Sequence, residues 1–336
     1  MRVKLEDVCE RGTSSLMQKD IVDKNGKYPV YGASGRIGSM ETYQQEHQTV
    51  AVVKDGAGIG RTMLLPEKSS VIGTMQYLIP KNCIESEYLY YVVKYMHLEK
   101  YFSGATIPHI YFRDYKTEEF NLHDKTEQRE IVSTLKRIEA IISNRQEQLT
   151  KLDELVKARF VEMFGDPYTN SKDYPLKKGE SFFKLSNGKA VPESKRLNGG
   201  IPAYGGNGIS WYTDESLFDA DTIVVGRVGF QSGNVHLVKG PLWVTDNAMY
   251  MSSCDFSQYN LTFLIELMAH VDFTKFQDAG DLKKITQKPF MQFEYLCPPL
   301  SLQNQFAAFV AEVDKSKLFA ELFAQSTCIL AENRSK

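Results

Sequence analysis

The chain has 336 residues, 42 % of them hydrophobic and 24 % charged, which excludes a disordered chain and a disulfide-stapled miniprotein. At about 100–200 residues per domain, this length predicts two domains. The 40 Lys and Arg residues against 42 Asp and Glu residues give a net charge of −2, so the composition lacks the basic excess that favours binding to nucleic acid.

No segment is predicted to cross a membrane, because no apolar run approaches about 18 residues. The first residues lack an apolar core of about 7–15 residues, so no secretory signal is expected. The five cysteines are scattered and form no CxxC pair, which predicts neither a zinc site nor a disulfide framework. We therefore expect a cytoplasmic protein without a metal ion or a cofactor.

The first 123 residues predict a small globule. Short strands bounded by glycine and proline, together with one or two helices, indicate an α+β fold. The β-branched run TVAVV gives the strongest strand signal, and a glycine-rich bend follows it. In chain order, the predicted elements are a turn-rich opening at 28–35, strands at 49–53, 61–65 and 71–79, a helix at 87–101 and a last strand before 122.

A long helix is predicted next, with Thr126 as its N-cap and Gly165-Asp166-Pro167 as its stop signal. Its apolar residues recur at intervals of four and three, which is typical of a coiled-coil seam. Arg145 interrupts this seam; we interpret it as an exposed or snorkelling cation, with a register-setting residue as the alternative. The seam consists of Ile131, Leu135, Ile138, Ile142, Leu149, Leu152, Val156 and Met163.

The second half of the chain repeats the first. The motif Pro-x-Tyr-Gly-x-x-Gly at 29–35 returns at 202–208, and this offset of 173 residues gives eleven identities over 28–78. A slip of two residues then pairs Gln128 with Gln303. A period of this length indicates two copies of one domain rather than a solenoid, whose period is about 20–50 residues. The second copy predicts strands at 222–225, 234–238 and 242–251, a helix at 261–276 and a second long helix at 301–332.

The sequence thus predicts an α+β protein in which two similar globules are joined by two long antiparallel helices. An isolated seam would leave an apolar stripe in water, so the two helices are expected to pack together as a coiled coil. The first helix leads away from the first globule and the second returns, which implies pseudo-twofold symmetry. The expected boundaries are 1–123 and 166–300 for the globules, and 124–165 and 301–336 for the helices.

The order of these motifs resembles a known family. Each Pro-x-Tyr-Gly-x-x-Gly domain is followed by a long helix that opens with a glutamine-bearing turn, Glu127-Gln128-Arg129 or Gln303-Asn304-Gln305. This arrangement is similar to the specificity subunit of type I restriction–modification systems. Met163-Phe164-Gly165-Asp166-Pro167 is similar to the sequence with which the first helix of that family usually ends. The resemblance covers essentially the whole chain.

The resemblance implies that each globule is a target-recognition domain that reads one half of a bipartite, asymmetric site in double-stranded DNA. The helices would act as a ruler that fixes the unread spacer between the halves. They would also dock two methyltransferase (modification) subunits and, through them, two restriction (motor–nuclease) subunits. The chain would have no catalytic residues of its own, since adenine methylation and ATP-driven cleavage would belong to its partners.

Base reading needs Arg, Lys, Asn or Gln side chains on loops, with small polar and aromatic residues nearby for phosphates. Lys54 and Arg227 occupy matched positions and keep their charge, whereas Ser34 is matched by Asn207, as unlike half-sites would require. A purely structural role, in which the tyrosines pack and the glycines turn the chain, is the alternative. The predicted DNA-contacting residues are Tyr31, Ser34, Arg36, Lys54, Arg61, Thr74, Gln76 and His109 in the first globule, and Tyr204, Asn207, Arg227, Gln231, Asn234, Asn247, Lys283 and Lys284 in the second.

The sequence does not predict an enzymatic site. The run 56–60 follows a strand but lacks both GxGxxG and the Gly-Lys-Ser/Thr of a P-loop, and Pro66 excludes a long helix behind it. The six histidines show no HExxH spacing. The alternative function is a non-DNA coiled-coil adaptor with two ligand-binding globules.

Overall fold

A computed structural model describes residues 1–21, 26–104, 108–280 and 283–335, with side chains as far as Leu318. The chain divides into two units, which are residues 1–144 with 323–336 (unit 1) and residues 145–322 (unit 2). Both units mix short strands with helices, which confirms the predicted α+β class.

Unit 1 is built from short elements, apart from the long helix that begins in it. Its strands are β1 (Arg2–Lys4), β2 (Cys9–Thr13), β3 (Tyr28–Gly32), β4 (Gly35–Met40), β5 (Thr49–Val53), β6 (Thr62–Leu65), β7 (Ser70–Val71), β8 (Met75–Pro80) and β9 (Glu119–Asn121). Its helices are α1 (Leu5–Val8), α2 (Ser86–Tyr95), α3 (Phe112–Tyr115) and the start of α4 (Lys125–Phe164), with 3₁₀ turns at Gln18–Asp20 and Leu98–Tyr101.

Three sheets form the body of unit 1. The largest has the order β2-β8-β5-β6 and is antiparallel throughout. All five residues of its central strand β5 are buried, as expected for a β-branched run inside a sheet. A second sheet has the order β4-β3-β7, and β1 pairs with β9. Helix α2 covers the largest sheet, and its Tyr88 and Leu89 share one buried cluster with Val50 of β5 and Leu135 of α4.

Unit 2 contains the rest of α4 and a second set of short elements. Its strands are β10 (Leu176–Lys178), β11 (Phe183–Asn187), β12 (Ile201–Gly205), β13 (Gly208–Thr213), β14 (Thr222–Gly226), β15 (Val235–Val238), β16 (Trp243–Val244), β17 (Ala248–Cys254) and β18 (Glu294–Leu296). Its helices are α5 (Leu261–His270), α6 (Lys288–Gln292) and the start of α7 (Leu300–Ser335), with 3₁₀ turns at Gly179–Ser181, Glu193–Lys195 and Phe273–Phe276.

The sheets of unit 2 repeat those of unit 1 strand for strand, with the orders β11-β17-β14-β15, β13-β12-β16 and β10-β18. A register shift after Val30 in β3 recurs after Ala203 in β12. Gly35 and Gly208 end the hairpin turns with φ of 115° and 111°, a conformation that L side chains rarely adopt. The predicted duplication is therefore confirmed in the backbone.

Within unit 2, α4 and α7 lie side by side and run in opposite directions. The rings of Phe160 and Phe306 have centroids 5.6 Å apart. Farther along, Lys317 Nζ lies 2.7 Å from an Asp153 carboxylate oxygen. Residue numbers therefore rise along α7, from 306 to 317, as they fall along α4, from 160 to 153. This order confirms antiparallel packing. Phe160 is fully buried at this contact, although the predicted seam omitted it.

Several predicted boundaries are wrong. The strand predicted at 71–79 is interrupted by a turn, which leaves β7 and β8 in different sheets. The helix predicted at 87–101 ends at Tyr95 because His97 has φ of 52°, in the left-handed region. The N-cap of α4 is Asp124 rather than Thr126, since its carboxylate accepts the backbone N–H of Thr126 at 2.9 Å.

Within the described ranges, no helix is both long enough and apolar enough to span a bilayer. The same residues contain no cluster of His, Cys, Asp or Glu side chains that could hold a metal ion.

Candidate nucleic-acid interface

Four segments of unit 1 meet at one place and form what we call loop cluster 1. The Lys54 N–H donates to the Thr74 carbonyl at 2.9 Å, and the Ile110 N–H donates to the Lys54 carbonyl at 2.9 Å. The Arg61 guanidinium reaches the hairpin turn and donates to the Ala33 carbonyl at 2.8 Å. The cluster consists of residues 31–36, 54–61, 72–74 and 108–110.

The centre of loop cluster 1 is an ionic group that the sequence did not predict. One oxygen of Asp55 lies 2.9 Å from Lys54 Nζ, and the other lies 2.7 Å from His109 Nδ1. The three side chains are 25 % to 35 % exposed, so solvent and a ligand can both reach them. Lys54 is thus a paired cation, and Asp55 removes part of the positive charge that we assigned to this loop.

The other predicted residues of unit 1 fall into two groups. Ser34, Arg36 and Thr74 are exposed at the edge of loop cluster 1, and Tyr31 is half-buried. Gln76 differs, because it is only 2 % exposed and its amide donates to the hydroxyl of Tyr115 inside the core. We therefore leave Gln76 out of the candidate interface.

Loop cluster 2 has the same backbone hydrogen bonds in unit 2. The Arg227 N–H donates to the Asn247 carbonyl at 2.9 Å, and the Ile285 N–H donates to the Arg227 carbonyl at 3.0 Å. The Gly229 N–H donates to the Lys283 carbonyl at 2.8 Å, as the Gly56 N–H donates to the Pro108 carbonyl in unit 1. The cluster consists of residues 204–209, 227–234, 245–247 and 283–285.

The side chains of loop cluster 2 are arranged differently. Val228 stands where unit 1 has Asp55, and the Arg227 guanidinium donates to the Asp246 carbonyl at 3.2 Å. The Asn234 amide donates to Gln231, so these two predicted residues are joined. The remaining predicted residues are Asn207, Asn247 and Lys284, which are exposed, and Tyr204 and Lys283, which are half-buried. Burial raises the pKa of Tyr204, which keeps its hydroxyl protonated as a donor.

Sequence reasoning missed Phe230, whose side chain is 88 % exposed at the tip of loop cluster 2. Its loop is held in place because the Gly233 N–H donates to the Gly226 carbonyl at 2.8 Å, and Gln277 Nε2 donates to the Ser232 carbonyl at 2.6 Å. The matched residue in unit 1 is Ala57. An aromatic residue directly after a turn glycine was the available signal, because burial in a core is the usual place for phenylalanine.

Comparisons with known proteins find similarity to DNA specificity subunits of type I restriction–modification systems. Residues 1–153 match the family model described as "Type I restriction modification DNA specificity domain". A putative type I restriction enzyme specificity subunit from Haemophilus influenzae, S.HindORF215P, is 23 % identical over 120 residues, or 35 % of this chain. The specificity subunit of the Escherichia coli type I restriction enzyme EcoprrI is 23 % identical over 113 residues, or 34 % of this chain.

The matched stretches span only 31 % and 28 % of those two relatives. A crystal structure of a type I restriction–modification S subunit from M. genitalium has a TM-score of 0.68 at 17 % identity, over 99 % of this chain and 94 % of that one. The fold is therefore shared along the whole chain, while the match to the family model covers residues 1–153. Residues 1–153 are thus similar to type I restriction–modification DNA specificity domains, and the chain shares the fold of a solved S subunit.

Proposed function

We propose that the chain is the DNA sequence-specificity subunit of a type I restriction–modification complex. Loop clusters 1 and 2 each read one half of a bipartite, asymmetric site in double-stranded DNA. The observation that carries this proposal is the duplication itself, since the same backbone hydrogen bonds present different side chains in the two clusters. A protein that bound the same base sequence in both half-sites would not need different side chains in the two clusters.

The chemistry of the clusters suits base reading. Arginine and lysine pair with guanine, asparagine and glutamine pair with adenine, and hydroxyls and backbone N–H groups bind phosphates. Cluster 1 offers Arg36, Lys54 and Arg61, and cluster 2 offers Arg227, Lys283 and Lys284. The two clusters together contain these six basic residues and two acidic residues, Asp55 and Asp246, whereas the chain as a whole has a net charge of −2.

Phe230 adds a contact of another kind to cluster 2. An exposed aromatic ring on a restrained loop can stack on a base or wedge into a base step, and such stacking is worth about 1–3 kcal/mol per base. Cluster 1 has Ala57 at this position and makes no such contact. The two half-sites are therefore expected to differ in shape as well as in sequence.

The remaining activities are assigned to partners. The helices α4 and α7 set the number of unread base pairs and dock the methyltransferase (modification) subunits, which in turn carry the restriction (motor–nuclease) subunits. The chain itself is a non-catalytic subunit that acts on DNA in the cytoplasm. A near-neutral specificity subunit is consistent with this assembly, because partner subunits that enclose the DNA supply most of the phosphate contacts.

The function is tested by methylome sequencing of a restriction-deficient host. The host expresses the chain together with a type I methyltransferase subunit that binds it, and the control expresses the methyltransferase alone. We expect adenine methylation at one motif with two specified halves and a fixed gap, only when the chain is present. Methylation that persists unchanged in the control, or that falls on an undivided motif, would contradict the proposal.

A further inference from the structure

Each long helix is fastened to its globule by one buried glutamine. Gln128 lies in the first turn of α4 and Gln303 in the first turn of α7, and both side chains are 0 % exposed. Neither residue belongs to a loop cluster. A buried primary amide must satisfy its acceptor and donors inside the protein, so its partners define its position.

In unit 1, the Gln128 amide joins three separate backbone groups. Its Oε1 accepts the N–H of Glu85, which caps α2, at 2.8 Å. Its Nε2 donates to the carbonyls of Cys83 at 3.0 Å and of His123 at 2.8 Å. The side chain thereby fixes α4 to the segment that precedes α2 and to the link between β9 and α4.

In unit 2, the Gln303 amide makes the same three bonds. Its Oε1 accepts the N–H of Asn260, the N-cap of α5, at 2.8 Å. Its Nε2 donates to the carbonyls of Gln258 at 2.9 Å and of Pro298 at 2.8 Å. All four positions correspond to those of unit 1 at an offset of 175 residues.

The residue that follows each glutamine has not been kept in the same way. Arg129 Nη2 lies 2.9 Å from a Glu85 carboxylate oxygen, whereas in unit 2 the Asn260 amide donates to Asn304 Oδ1 at 2.9 Å. An exposed ion pair has thus become an exposed amide pair beside an unchanged buried amide. The buried bonds are the part of the junction that both copies retain.

Because these hydrogen bonds are directional, they prevent the helix from rotating or sliding to another position on its globule. The apolar contacts of α4 with α2 are non-directional, so they tolerate small rotations. A slip of one residue rotates a helix by about 100° and moves it by about 1.5 Å, which would take Gln128 out of reach of its partners. A tilt of a few degrees at one end of the 40-residue α4, about 60 Å long, moves the other end by roughly one base-pair rise of ~3.4 Å.

We propose that Gln128 and Gln303 are positioning residues that fix each long helix on its globule and thereby hold the spacing between half-sites to a single value. The inference rests on the proposed function, which it extends from base reading to distance. The glutamines are buried, so they touch neither bases nor phosphates. Their loss should affect the gap in the recognised motif and leave both of its halves unchanged.

The test compares methylomes of hosts that express the complete chain and its methyltransferase with wild-type, Gln128→Met or Gln303→Met sequences. Methionine keeps the length of the side chain but removes all three hydrogen bonds. We expect modified sites with one base pair more or fewer in the gap to rise at least about tenfold, which corresponds to the loss of a buried hydrogen bond. The matched controls Arg129→Ala and Asn304→Ala cut only the exposed pairs and should keep the wild-type gap.

A second variant covers poor folding of the methionine forms. Gln128→Asn keeps the amide but is one methylene shorter, so it cannot reach all three partners and should give a smaller rise of the same kind. A folded Gln128→Met complex with a single wild-type gap would overturn the inference, and so would altered bases in either half. A wild-type complex that methylates no bipartite motif would refute the proposed function, and this inference with it.

Discussion

Loop cluster 1 and loop cluster 2 share a backbone and differ in charge. The hydrogen bond from Lys54 N–H to Thr74 is matched by that from Arg227 N–H to Asn247, with N···O distances of 2.9 Å in both. In cluster 1 the lysine is paired with Asp55, whereas the residue that follows Arg227 in cluster 2 is Val228, which carries no charge. The two clusters thus keep the same backbone structure, while the side chains proposed to contact DNA differ between them.

The two junctions between globule and long helix show a second contrast. In unit 2 the junction is aromatic, since Phe160 packs between Phe263, His270 and Phe306. In unit 1 it is more polar, because Glu139 on α4 accepts from the hydroxyl of Tyr91 at 2.7 Å and lies 2.6 Å from Lys94 Nζ. We expect the unit 2 junction to tolerate salt better, since screening weakens ion pairs and leaves apolar contacts intact.

The largest effect is expected from breaking the aromatic junction. Phe160→Ala leaves a cavity among buried rings and should lower the free energy of unfolding by about 3–5 kcal/mol. Val161→Ala is the matched control, because Val161 is 46 % exposed on the same helix and should change stability by less than about 0.5 kcal/mol. Denaturant titration followed by circular dichroism measures both, and equal losses would show that the junction is not the centre of the core.

The next largest effect is a difference in DNA binding between alanine variants of the matched residues Arg227 and Lys54. Arg227→Ala should weaken binding of the complex to its site by about 1–3 kcal/mol and relax one base in the second half-site. Lys54→Ala should cost less than about 1 kcal/mol, because Lys54 is already paired with Asp55. Competition binding with duplexes changed at single positions gives both values. Lys239→Ala, on the exposed surface outside the clusters, serves as the control, and a larger loss for Lys54 than for Arg227 would contradict the comparison.

A smaller effect is expected from a substitution that makes the charge of cluster 1 resemble that of cluster 2. Asp55→Val introduces the residue of the matched position and frees Lys54 for a phosphate. The slope of log K against log salt should then steepen by up to about one unit, the contribution of one additional phosphate contact. Anisotropy titrations of the complex at several salt concentrations measure the slope. A slope equal to that of the wild type would show that Lys54 faces away from the DNA.

Local patterns predicted the fold well where a single segment determined the outcome. The run TVAVV forms β5 over the predicted residues 49–53, and the repeated glycines mark positions with positive φ in both copies. The segment 28–35 was predicted only as a turn, because proline and glycine are typical of turns. In the structure it contains β3 and the start of β4, which form a hairpin. The long helix was predicted to within one residue of its observed start.

The site was harder to predict because it depends on contacts between distant segments. Asp55 and His109 are 54 residues apart, and nothing near either residue specifies that they meet. Gln76 lies on β8, which is buried on both faces, so the alternation rule for a half-exposed strand failed there. The roles of the other predicted DNA-contacting residues remain predictions. Their exposure at a loop cluster means that DNA can reach them, and the substitutions above test whether it binds them.

The central claim is that each globule reads its own half-site through its own loop cluster. The most direct measurement replaces the second globule with a copy of the first, joined where the repeats align at Gln128 and Gln303, and then sequences the methylome. We expect a motif whose two halves have the same sequence, namely that of the original first half. A motif that retained the original second half would contradict it.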